Sequence, residues 1–84
     1  MLFSGDLQIL EDPLEQRILA EANIITYFTY RGFTTAGKWN HIKWLVRIWD
    51  DVIDHCATEA VQGINYQVSL NGAIKIITSY QDFE

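Results

Sequence analysis

The string Asp50-Asp51-Val52-Ile53-Asp54 is where the side chains of this sequence come nearest to a chemistry. On a helix Asp50 and Asp54 share a face, and carboxylates so placed can bridge a hard cation such as Mg²⁺ through oxygen ligands. Such a clamp works inside a large helical cavity, which a chain of 84 residues cannot enclose. A solvated acidic helix end is the expected reading. Asp51 and His55, also four apart, can form a hydrogen-bonded pair or half of a zinc site, and half a site holds no ion. His41 lies about 21 Å from His55 along a helix rising 1.5 Å per residue, so the two cannot share one metal.

Cys56 is the single cysteine. It falls on an apolar arc as a small buried hydrophobe, and Asp54 and Glu59 beside it repel the negative charge that a nucleophilic sulfur carries. Nucleophilic triads, phosphate-binding glycine loops and paired acid–base carboxylates have no candidate, Gly32 and Gly37 forming no phosphate motif. No enzymatic activity, cofactor, metal or small-molecule substrate is expected.

Binding has a better basis than catalysis. Four of the six basic residues and all three tryptophans lie between Arg31 and Trp49, a stretch without Asp or Glu in a chain of net charge −5. The formal charge is −4 over residues 1–30, +4 over 31–49 and −5 over 50–84. Acidic flanks oppose sequence-independent binding to double-stranded nucleic acid, whose affinity comes from neutralising phosphates. A single strand remains an alternative ligand for 31–49, with Trp39, Trp44 or Phe33 stacking on bases and Lys38, Lys43 and Arg47 holding phosphates.

The length implies one domain, 1–84, with a core worth roughly 3–5 kcal/mol. A lone thiol excludes an intramolecular disulfide, and neither a secretory signal nor a membrane-length apolar run is visible. A cytoplasmic location is expected. Oligomerisation or a partner would supplement so small a core.

The elements that must position these residues follow from pattern. Asp12-Pro13-Leu14-Glu15 combines an N-cap acceptor, a proline at the first helical position and an acid in the first turn. A first helix is read over about 13–31, carrying Leu14, Ile18, Ala22, Ile25 and Phe28 on one face and ending at Gly32. A second helix is read over about 36–62, some 37 Å long from Lys38, ending at Gly63. From Ile64 apolar residues alternate, and Asn71-Gly72 marks a hairpin of strands about 64–70 and 73–80. A three-residue loop Leu70-Asn71-Gly72 pairs Tyr66 with Ile76 and Val68 with Ile74, so that Ile64, Tyr66, Val68, Ile74, Ile76 and Tyr80 share the packed face. Residues 7–10 are a candidate third strand, or the start of a short helix. The expected fold is α+β, two antiparallel helices packed on a C-terminal hairpin.

On the second helix Ile42, Leu45, Val46, Trp49, Val52, Ile53, Cys56 and Ala60 form one broad apolar arc, the expected core face. His41, Trp44, Ile48, Asp51 and His55 form a second stripe, flanked by Lys43, Arg47, Asp50 and Asp54. Either the helix is sandwiched, the second stripe meeting another element of the chain, or that stripe is an interface. Basic residues in its first half and acidic residues in its second oppose the helix dipole but suit an antiparallel partner of like sequence. The expected function is that of a non-catalytic protein-binding module, an inhibitor, adaptor or accessory subunit, pairing through the second helix as a homodimer or with a hetero-partner of matching polarity. Trp44, Ile48, Lys43 and Arg47 would carry the contact, with His41, Asp50, Asp51, Asp54 and His55 around them.

Overall fold

A computed structural model describes residues 1–5 and 8–82. They form a mixed α+β fold: β1 (Leu2–Ser4), α1 (Gln8–Glu11), α2 (Pro13–Glu21), β2 (Thr26–Phe28), α3 (Lys38–Thr58), β3 (Asn65–Val68) and β4 (Ile74–Ile77). The strands make one sheet in the order β1-β2-β3-β4. β1, β2 and β3 run parallel and β4 antiparallel to β3.

Register assigns the faces. Phe3 is opposite Tyr27, Tyr27 opposite Tyr66 and Tyr66 opposite Ile76, so this row of side chains points one way. Tyr27, Tyr66 and Val68 pack with Trp44, Ile48 and Val52 of α3. On the opposite face Phe28 and Ile77 pack with Ile9 and Leu10, and Asn65 donates to the Gln16 side chain of α2 at 2.8 Å. The sheet is therefore the middle of three layers. Both parallel crossovers step the same way along the sheet while their helices lie on opposite faces, so one of the two has the rarer left-handed sense.

The first helix is shorter than its periodicity predicts, spanning Pro13–Glu21 and not 13–31. Asp12 caps its start, Oδ1 accepting from the Leu14 and Glu15 amides at 2.9 and 3.4 Å. Its end is a Schellman motif: Asn23 is left-handed with φ 57°, its amide donates to Ala20, and that of Ile24 reaches back to Leu19. The β-branched and aromatic run that follows then extends as β2. Residues 8–10 belong to α1 and not to a strand, and Leu7 lies outside the described residues.

The second helix stops at Thr58, short of residue 62. Continuing it would require the Val61 amide to bond to Ala57 four residues back. The Tyr66 hydroxyl accepts that amide instead, at 2.9 Å. Two helices on a hairpin thus becomes a four-stranded sheet between helical layers.

The hairpin has the expected register, Tyr66 with Ile76 and Val68 with Ile74. Ser69 and Ala73 close the three-residue loop, and Gly72 takes the left-handed position with φ 91°. Ile76, expected on the packed face, is exposed, because β4 is an edge strand; the Tyr80 side chain lies outside the described residues.

Candidate functional site on the long helix

Helix α3 carries two apolar stripes, and the one bearing Trp44 and Ile48, read as either sandwiched or an interface, is covered by the sheet and the hairpin loop. Trp44 is 4% exposed and Ile48 2%. The indole N–H of Trp44 donates to the Leu70 carbonyl at 2.9 Å, and its ring meets Tyr30 edge-on with centroids 4.8 Å apart. Ile48 lies under the hairpin loop, where a Cβ on Gly72 would stand 3.3 Å from Ile48 Cγ2. A side chain at position 72 would therefore strain the left-handed backbone and press Ile48 aside by a few tenths of an ångström. Trp44 and Ile48 are core residues, not contact residues, because the loop offers the indole a carbonyl and the isoleucine a lid.

The other predicted site residues distribute around them. Lys43 is exposed and Arg47 donates to the same Leu70 carbonyl at 3.0 Å. Together they edge a surface depression of about 480 Å³ that also meets Tyr30 and Asn40. Asp50, Asp51 and Asp54 are exposed. His41 is half-buried, its ring lying flat on Phe33 with centroids 3.4 Å apart.

His55 pairs with neither Asp51 nor His41. Its Nδ1 shares a 2.7 Å hydrogen bond with the Tyr27 hydroxyl, and its Nε2 stands 3.9 Å from a Glu59 oxygen. With the ring proton on Nε2, Tyr27 donates to Nδ1. Burial, and after it the neighbouring Cys56, pushes the Tyr27 phenol well above its ordinary range. The group is thus a neutral hydrogen-bond donor inside the fold. Among the described residues no three of His, Cys, Asp and Glu gather closely enough to hold a metal ion. None of the helices there is long and apolar enough to cross a membrane.

The arc expected to form the core divides: Leu45, Val52, Cys56 and Ala60 pack into it, whereas Ile42, Val46, Trp49 and Ile53 join Trp39 on an outer stripe. Trp39, Ile42, Val46, Trp49 and Ile53 recur at spacings of three and four, and all are exposed, Trp39 at 72% and Val46 at 73%. Trp49 leans on Phe3 with ring centroids 6.2 Å apart, at the β1 margin of the sheet. Polar Lys43, Arg47, Asp50 and Asp54 line the other side. The signal was present as a run of a and d positions with charges beside it. Two apolar arcs on one helix leave it to the third dimension which of them the sheet takes. No protein family, no curated protein and no solved structure matches the chain.

Proposed function

We propose that the protein is a non-catalytic binding module that docks another protein surface on the outer stripe of α3. The observation that carries this reading is a five-residue apolar stripe, 37–73% exposed, on a helix whose opposite face is already packed. Helices of globular proteins bury one stripe, and a second continuous one beside charges is the anatomy of a helical interface, an aromatic-rich centre with a polar rim. Trp39 and Trp49 are the anchors and Lys43, Arg47, Asp50 and Asp54 the rim. This surface replaces the one built on Trp44 and Ile48.

Nucleic-acid binding keeps one favourable observation, the exposed Trp39 indole with exposed Lys38 and Lys43 near it on the helix. Trp44 is withdrawn into the core, and the three aspartates on the same helix repel phosphates. Position-specific photo-crosslinking in the protein's own cells tests the choice. A benzophenone side chain at position 46 is expected to give a discrete protein adduct, and one at position 17, on the far layer, none. Adducts with nucleic acid at 46, or equal labelling from both positions, would overturn the reading.

A further inference from the structure

The outer stripe has a period and a charge order that together specify what covers it. Positions 39, 42, 46, 49 and 53 alternate steps of three and four, the a and d positions of a heptad seam. Lys43 and Asp50 then occupy successive e positions along one edge. Both are exposed, and among the described residues neither takes part in a salt bridge within the chain. The preceding g position is Lys38.

Orientation follows from these charges. A parallel pair of such helices would set Lys38 of one against Lys43 of the other, like charges across the seam. An antiparallel pair sets e against e, and Lys43 meets Asp50 twice, once on each side of a twofold axis. In that register the axis passes level with Arg47 and Ile48, Val46 of each copy faces Trp49 of the other, and Ile42 faces Ile53. Each layer thus joins a small or branched side chain to a larger or equal one, as interdigitated packing requires.

We propose that the occupant of the α3 stripe is a second copy of this chain, paired antiparallel through Ile42, Val46, Trp49 and Ile53 and held in register by reciprocal Lys43–Asp50 ion pairs. The proposal rests on the binding-module reading and names the partner of that same surface. Arg47 lies one step outside Lys43 on the same edge, where it adds positive potential opposite the second copy's Asp50 and Asp54.

Sedimentation equilibrium of the full chain reads this directly. The wild type is expected at twice the 9.7 kDa chain mass at micromolar concentration. Val46→Glu, at a position open to solvent in the single chain, should be monomeric with an unchanged circular-dichroism spectrum. Lys43→Asp and Asp50→Lys should each weaken association roughly tenfold or more at low salt, and the double variant should recover most of the loss. A monomer mass for the wild type up to about 100 µM would overturn the proposal. A dimer unaffected by Val46→Glu would move the interface elsewhere, and a charge swap without recovery would reject the antiparallel register. A wild-type monomer whose position 46 crosslinks to a different protein would end the homodimer while leaving the binding-module reading intact; no protein adduct at all would end both.

Discussion

Tyr27 concentrates several demands in one residue. It is fully buried, its ring stacks on Tyr66 with centroids 5.5 Å apart, and its hydroxyl bonds to His55 across 28 residues of sequence. Removing that hydroxyl leaves Nδ1 of a half-buried histidine without its partner, so Tyr27→Phe is expected to lower stability by about 1–2 kcal/mol, read as a shifted urea midpoint at constant slope. A pH dependence follows from the same group. The fold holds the phenol neutral above its ordinary value near 10. A folded-state value raised in this way gives stability that is whole below about pH 10 and falls as the pH rises beyond it, because the unfolded chain releases the proton first. Wild type should therefore lose stability on alkaline titration more steeply than Tyr27→Phe. None of this was legible beforehand: Tyr27 falls inside the helix read over 13–31, and nothing local links it to residue 55.

At the scale of elements, what could be read was what short-range chemistry decides. The hairpin register came from Asn71-Gly72 and the alternation before it, since a loop of three residues with a left-handed glycine permits one pairing. The start of α2 came from Asp12-Pro13 in the same way. The strand β2 stayed hidden because Ile25 and Phe28 continue the helical spacing of Leu14 and Ile18. Asn23 was the signal missed, since asparagine is the side chain after glycine that best tolerates the left-handed C′ position. Asn23→Ala is accordingly expected to destabilise the fold by about 1 kcal/mol and Asn23→Gly to leave it within a few tenths, measured by thermal unfolding at neutral pH. Equal effects of the two substitutions would show that the asparagine side chain, not its backbone conformation, is what the turn needs. A crossover of the rarer hand could not be foreseen from pattern, because handedness depends on which face each helix covers and both faces of the sheet are apolar enough to be covered.

For the whole molecule the two faces of α3 have opposite meanings, and two tryptophans separate them. Trp44→Ala opens a cavity under Leu70 and Tyr30, a loss of about 3–5 kcal/mol that equals the core contribution expected of a chain this small, so the variant should show no cooperative unfolding transition. Trp39→Ala removes a ring that is 72% exposed and should leave the fold of the single chain within about 0.5 kcal/mol. The radius of gyration is 12.4 Å, and so small a body gains from any association that binds only the folded state. If α3 pairs with a second copy, folding and pairing are one equilibrium, and stability depends on how much protein is present. At a chain concentration about 100 times the dissociation constant, association adds about 2.7 kcal/mol, and for a domain of this size each kcal/mol moves the melting temperature by about 4–8 °C. Scanning calorimetry over a hundredfold range of concentration should therefore show a midpoint that climbs with concentration for the wild type and stays fixed for Val46→Glu. A wild-type midpoint independent of concentration would mean that the exposed stripe contributes nothing to its own fold through self-contact, and that its apolar residues are kept for a different protein.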